Sequence, residues 1–270
     1  MLWNSETWKT LSLPTITKTG ILTETGLKQL LHNIHVFGFG LVSGCEPTET
    51  DTEAIIRRIA APMPTTFSPG MWTFTSNMAR GDTAYSNCYL APHTDSTYFS
   101  NPCRIQVFHC LDREGCAGGD TILVDGTHCA EVLQEQDPAA MDLLSSVPQE
   151  CVYMEPGVCY KWVDTVFKKA RLDGSLQRVR FNMYDRSSRP PFCETEKINS
   201  YYRALKKYAD LTQSSANQLM MQLSPGTIIM IDNWRVLHGR TEFFGKRVVN
   251  GCYLDNDEFN HASRKHGVIE

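Results

Sequence analysis

The sequence predicts a mainly β fold with flanking helices, of the α+β class, and three observations carry that prediction. From Met71 onward, short apolar runs alternate with Gly, Asn, Asp and Pro. Amphipathic helical segments lie ahead of these runs and interrupt them twice. The chain of 270 residues, 41% hydrophobic, 10% aromatic and 21% charged, is long enough for a full core and is read as one domain over residues 1–270. Collagen, coiled coil and disorder are excluded by the same composition.

In chain order, Thr23 to His35 opens on threonine caps and places Leu27, Leu30, Leu31 and Ile34 on one helical face. VFGFGLVSG reads as a buried strand, and TETDTEAIIRRIAAP as a second helix with Thr and Asp caps that Pro62 closes. Residues up to about 66 thus form an α/β part expected to pack on the strand-rich remainder of the chain. The runs RIQVFHCL, TILVDG, ECVYMEP, RVRFNMY, TIIMIDN and RVVNGCYL predict a many-stranded antiparallel sandwich or barrel. Helices are expected over Cys129 to Ser146, divided at Asp137-Pro138, and over Glu194 to Thr212, where Ile198, Tyr202, Leu205 and Tyr208 share a stripe. Lys161 to Asp173 and the SSRPPF segment read as loops over a mouth. No internal repeat or low-complexity tract divides the chain.

Charge narrows the partners. Lys and Arg number 26 against 30 Asp and Glu, a net −4, with neither sign gathered into a run, so nucleic acid and membrane surfaces are not expected and a small molecule is. The longest apolar candidate, Thr227 to Ile231, is far too short for a membrane span, and the N-terminus has neither a signal core nor an Arg-rich transit pattern, so a cytoplasmic location is expected. Ten cysteines without a C-x-x-C pair read as reduced thiols acting as small hydrophobes in an intracellular protein, rather than as a disulfide scaffold or a zinc site.

The first candidate for chemistry is His93-Thr94-Asp95. Residues two apart on an extended segment point to one side, so imidazole and carboxylate can converge, and these donor types suit Fe(II) in a facial triad of two histidines and one carboxylate. Alone this pattern is weak. It is strengthened by Gly118-Gly119-Asp120-Thr121 entering an apolar strand, by His238 at the end of IIMIDNWRVLH, and by Arg247 nine residues later. A barrel can bring a late strand beside an early one, which makes His238 the third ligand.

TAYSNCYLAPHTDSTYFSNPCRIQVFHCL, GGDTILVDG, LSPGTIIMIDNWRVLHGR and GCYL together resemble the trimethyllysine and γ-butyrobetaine dioxygenases, within the wider taurine-dioxygenase-like group of Fe(II)/2-oxoglutarate oxygenases. MWTFTS, RGDTAYS and DNWRVLHGR favour the trimethyllysine branch. The resemblance implies a double-stranded β-helix, or jelly-roll, core. It implies that His93, Asp95 and His238 hold iron, and that Arg247 grips the distal carboxylate of 2-oxoglutarate with Thr121 beside it. Arginine suits that task because it stays charged and makes two parallel bonds to one carboxylate. Some relatives have a second arginine four positions on, where this chain has Gly251. Carnitine-pathway enzymes cage a trimethylammonium group with aromatic residues at three positions that are here Ser68, Trp72 and Tyr85. Ring faces hold such a cation at about 0.5 to 2 kcal/mol per contact. Only two rings stand there, and Phe67 would replace the third only by a register shift. By themselves, Trp72 and Tyr85 fit core aromatics more readily than a cage. Asp82 and Asn182 match positions that meet the substrate's polar end.

The implied reaction is hydroxylation of an unactivated C–H coupled to decarboxylation of 2-oxoglutarate to succinate, with O2 as co-substrate, ascorbate as a support, and Nε-trimethyllysine at C3, the entry step to carnitine, as the nearest substrate. The alternatives are γ-butyrobetaine or a specialised-metabolite amino acid without a trimethylammonium group, and a non-catalytic metal-binding protein on the same fold. A homodimer is allowed for. By resemblance a mitochondrial location is also allowed for, and the N-terminal zinc-binding extension of many relatives is expected to be absent. His109 is expected to be a hydrogen-bonded barrel histidine, and Asp232 and Arg235 to brace the strand that delivers His238.

Overall fold

The computed structural model describes residues 1–66, 68–75, 86–188, 192 and 194–270. Short elements α1 (Thr7–Thr10), β1 (Thr15–Thr17) and α2 (Lys18–Ile21) lead to α3 (Glu24–Phe37). α3 starts where Thr23 Oγ1 accepts the Gly26 amide and stops at Gly38, whose φ of 79° makes a left-handed cap. The expected strand and second helix are β2 (Phe39–Ser43) and α4 (Glu49–Ile56), the latter capped by Thr48. Then come β3 (Met71–Thr75), β4 (Leu90–His93), β5 (Ile105–Asp112), β6 (Ala117–Gly118) and β7 (Thr121–Asp125). The helices α5 (Gly126–Gln136) and α6 (Pro138–Ser146) divide at Asp137, whose side chain caps the second.

Beyond them lie β8 (Gln149–Glu155), β9 (Val158–Asp164), β10 (Phe167–Lys169), β11 (Leu176–Val179) and α7 (Thr195–Gln213). The chain closes with β12 (Gln218–Met221), β13 (Thr227–Asp232), β14 (Val236–Arg240), β15 (Phe243–Phe244), β16 (Val248–Leu254) and α8 (Asn256–Lys265).

Two expectations are corrected here. Lys161 to Asp173 is partly strand, since it holds the end of β9 and all of β10. These strands pair in small ribbons with one face in water, so Lys161, Lys168 and Lys169 give them a loop-like polarity. Of RVRFNMY, only Arg178 and Val179 belong to a strand. α8 has a weak sequence signal because its buried seam is confined to Phe259, Ala262 and Ser263. Of the SSRPPF segment, residues 189–191 lie outside the described residues.

The strands form a six-stranded sheet in the order β1-β2-β13-β5-β16-β3 and a four-stranded sheet in the order β12-β7-β14-β4, antiparallel throughout except for β1 with β2. Alternation along the strands assigns the faces. Ile228 and Met230 pack outward with α3, α4 and α8, whereas Ile229 and Ile231 join Leu123 and Val236 between the sheets. Ile122, Val124 and Leu237 pack outward against α5, α6 and α7. Two antiparallel sheets thus share an inner core, with helices over their outer faces, which is the predicted jelly roll. Trp3, Phe39 and Leu41 help fill the inner core, and a cavity of about 320 Å³ remains on the inner faces.

Candidate active site

β14 lies between β7 and β4, and His238 is directly opposite His93 across the antiparallel pair. Their rings stand 4.6 Å apart between centroids. The register shifts just after His238, and Gly239 permits it: a Cβ there would fall 2.5 Å from the Leu90 carbonyl oxygen. Asp95 comes after β4 on a turn, and Ser96 beside it, at φ 60°, is the only non-glycine residue with positive φ among the described residues.

One residue not singled out in the sequence holds that turn. Asn233 accepts the Asp95 amide at 2.7 Å through Oδ1 and donates through Nδ2 to the Asp95 and Cys103 carbonyls, each at 3.1 Å. Its neighbours brace the approach to β14: Asp232 takes Arg104 at 2.7 Å, and Arg235 takes the buried Asp125 at 2.7 Å.

His93 Nε2 lies 3.3 Å and His238 Nε2 3.7 Å from Asp95 Oδ1, and one ligand atom from each of the three residues falls within 4.8 Å of the others. His93 Nδ1 donates to the Ala91 carbonyl at 2.8 Å, which orients the ring so that Nε2 faces Asp95. Burial pushes His238 down to about 4 and keeps it neutral. Burial also acts on the other two. It is outweighed at Asp95 by the imidazoles of His238 and then His93, which hold the carboxyl below the usual carboxylate range, and at His93 by the hydrogen bond and charge of Asp95, which hold the ring above the usual imidazole range. Two nitrogens and one carboxylate oxygen, buried and convergent, fit a divalent metal such as Fe(II).

Arg247 and Thr121 line the same cavity. Arg247 has no carboxylate partner among the described residues, and its Nε is buried without an acceptor. Burial and then the nearby Arg240 pull its guanidinium down to about 10, and Phe243 lies against both arginines, 4.9 Å from Arg240 and 5.7 Å from Arg247. A buried cation of this kind is completed by an anionic ligand. Gly251, where some relatives have an arginine, is closed to any side chain. A Cβ there would lie 2.2 Å from both the Trp72 ring and the Val107 carbonyl.

Trp72 lines the cavity, stacked on Phe74 at 4.2 Å and 6.1 Å from the Tyr253 ring. Tyr253 was not singled out in the sequence, although Arg247, Val249, Gly251 and Tyr253 recur at the strand period of two and all but the glycine line the cavity. The same period brings Gln106 and Phe108 of β5 to the cavity. Ser68 is buried at its edge and donates to the Met71 carbonyl at 2.5 Å. Asn182 is on the wall, as are Val152 to Glu155 of β8 and Asp185, for which no sequence signal existed. Asp82, Tyr85 and Phe67 lie outside the described residues.

Fold and donor set together define a jelly roll whose inner face carries two histidines and one carboxylate placed to hold a metal ion, and comparison with known proteins gives the family. Residues 12–253 match the model of the taurine catabolism dioxygenase TauD, TfdA family, and the chain belongs to that family. It is 39% identical to the mitochondrial trimethyllysine dioxygenase of Gallus gallus over 99% of this chain and 65% of that one. It is 27% identical to the gamma-butyrobetaine dioxygenase of Homo sapiens over 94% of this chain and 66% of that one. The chain therefore spans just under two thirds of the length of these relatives. Among solved structures, PvcB, described as an Fe, alpha-ketoglutarate dependent oxygenase from an isonitrile synthetic pathway, superposes with a TM-score of 0.62 at 18% identity, covering 90% of this chain and 84% of that one.

Proposed function

We propose that the chain is an Fe(II)- and 2-oxoglutarate-dependent dioxygenase that hydroxylates an unactivated C–H of a small amino acid, with Nε-trimethyllysine, oxidised at C3, as the substrate. One observation carries this reading: three metal-type donors and a buried arginine without a carboxylate partner share one cavity. In this proposal His93, Asp95 and His238 hold the iron. Iron, with 2-oxoglutarate and O2, supplies the oxidising power for C–H cleavage as the cosubstrate becomes succinate and CO2. Arg247 binds the distal carboxylate of 2-oxoglutarate through paired charge-assisted bonds, with Thr121 beside it. Trp72 and Tyr253 offer ring faces to the trimethylammonium group. Asn182 and Asp82 serve the polar end, and Tyr85 adds a ring. The 39% identity to a trimethyllysine dioxygenase, against 27% to a gamma-butyrobetaine dioxygenase, supports the choice of substrate.

The second reading keeps this chemistry and changes the substrate to γ-butyrobetaine or another amino acid. Ser68 favours it, since a hydroxyl committed to the Met71 carbonyl stands where the cage has a ring. Purified protein with Fe(II), ascorbate and 2-oxoglutarate is expected to release succinate upon addition of trimethyllysine, and more slowly with γ-butyrobetaine. Arg247→Ala is expected to raise the KM for 2-oxoglutarate by about a hundredfold, from loss of a charged hydrogen-bonded pair, while metal affinity is unchanged. Succinate release that no member of an amino-acid and betaine panel stimulates would sink the reading. A cytoplasmic or mitochondrial location belongs to the same proposal and is checked by cell fractionation.

A further inference from the structure

We propose that Asn250 is the positioning residue for Trp72: its side-chain amide pins the edge strand that carries the ring. The consequence, that it sets the ring face a cationic substrate meets, rests on the trimethylammonium reading above. β3 is the outermost strand of the six-stranded sheet and pairs with β16 alone. Its five residues are all half-buried, so packing by itself gives the strand little hold. A ring attracts a cation only within about 6 Å of its centroid, so a loose strand would blur the site. Asn250 stands opposite Thr73 and is 0% exposed. Its Nδ2 lies 2.9 Å from the Trp72 carbonyl, 2.9 Å from Thr73 Oγ1 and 3.0 Å from Glu49 Oε2, so two N–H donors are shared among three acceptors. Glu49 is the first residue of α4, and its Oε2 also accepts the Thr73 hydroxyl at 3.2 Å. One amide thus ties β3 both to β16 and to a helix of the outer layer.

The residue type is informative. Cys252 and Leu254, on the same outward face of β16, pack into the outer core, and an apolar side chain at position 250 would pack with them. Asparagine instead leaves Oδ1 buried without a hydrogen-bond partner, a cost that valine would avoid. What asparagine adds over valine is the pair of donors aimed at β3. The next residue, Gly251, leaves room for the Trp72 ring, which continues onto Phe74 at 4.2 Å and Phe108 at 5.7 Å. Adjacent positions of β16 therefore act on one tryptophan, Gly251 on its ring and Asn250 on its peptide. Asn250 itself does not line the cavity, so its influence there passes through Trp72.

Two measurements test this on the protein supplied with Mn(II) and 2-oxoglutarate without oxygen. The first needs no substrate: fluorine NMR of protein labelled with 5-fluorotryptophan, in which the Trp72 line is the one lost in Trp72→Phe. Asn250→Ala is expected to broaden or split that line and to leave those of the other four tryptophans in place. Glu49→Ala, at an exposed residue, should disturb the same line to a smaller extent and serves if the first variant folds poorly. The second is calorimetric binding of trimethyllysine and of its neutral isostere with a tert-butyl head. Two ring contacts at the low end of cation–π strength give the native protein a preference for the cation of about fivefold or more, and Asn250→Ala should lower it by about half or more while Mn(II) and 2-oxoglutarate affinities stay unchanged. In a Trp72→Leu background the same substitution should have no further effect on the preference, since a residue that acts through another is coupled to it. A Trp72 line unmoved in both variants, or a loss of preference as large without the Trp72 ring as with it, overturns the proposal. Native protein that binds both ligands equally while Asn250→Ala still disturbs the Trp72 line would uphold Asn250 and overturn the trimethylammonium reading instead.

Discussion

Asn233 is 1% exposed and uses both ends of its amide on the turn that carries Asp95. A side chain that pins a ligand's own backbone controls where the carboxylate points, and such supporting contacts are commonly worth about 10- to 100-fold in metal affinity. Asn233→Ala is expected to weaken Mn(II) binding by at least about tenfold and to lower stability by about 1–3 kcal/mol through the orphaned Asp95 amide. Titration calorimetry and urea unfolding read the two effects separately, and unchanged metal affinity would show that the turn holds its own shape. Nothing in the string DNWRVLH marks Asn233 above its neighbours; its partner is 138 residues away. Tyr253 was within reach, because strand alternation from Arg247 points to it.

At the scale of elements, β5 shows how one strand serves two environments. Gln106 and Phe108 face the cavity, while Ile105 and Val107 pack into the outer core. His109 belongs with the latter and makes a 2.6 Å hydrogen bond through Nδ1 to Thr52 of α4, whose hydroxyl is given to the Thr48 carbonyl. The barrel-histidine reading of the sequence thus has a specific partner, a helix laid across the outer face. Burial pushes His109 down to about 4, whereas an unfolded chain titrates near 6.5. Between these values the unfolded state binds the extra proton, so stability falls as pH drops from about 6.5 to 4, by up to about 1.4 kcal/mol per unit. Unfolding free energies at pH 7 and pH 5 should therefore differ less in His109→Gln than in the native protein. Equal slopes would assign the pH dependence to other groups.

Across the whole molecule, the cysteines sort by depth. The nine described are free; Cys45, Cys103, Cys110, Cys129, Cys151 and Cys252 are buried, whereas Cys88 and Cys159 are exposed. Burial pushes Cys45 up to about 11 and Cys252 up to about 12, so their reactive thiolates are scarce at neutral pH as well as shielded. Brief alkylation of the native protein, then peptide mapping, should mark Cys88 and Cys159 and spare these six until denaturant is added. Rapid labelling of Cys129 or Cys252 would mean that the helical layers over the sheets open readily.

What the sequence by itself determined is local and periodic. Threonine caps and the 3.6-residue stripe place α3, and short apolar runs bounded by Gly, Asn, Asp and Pro place β5, β13 and β16, because capping and strand preference depend on near neighbours. Only the tertiary structure decided which strands meet. It set His238 opposite His93, tied Asp95 to Asn233, filled the space over Gly251 with Trp72 and brought Asp185 to the cavity through β8. Those contacts join residues far apart in the chain, and their geometry is set by strand order and close packing, which no local pattern encodes.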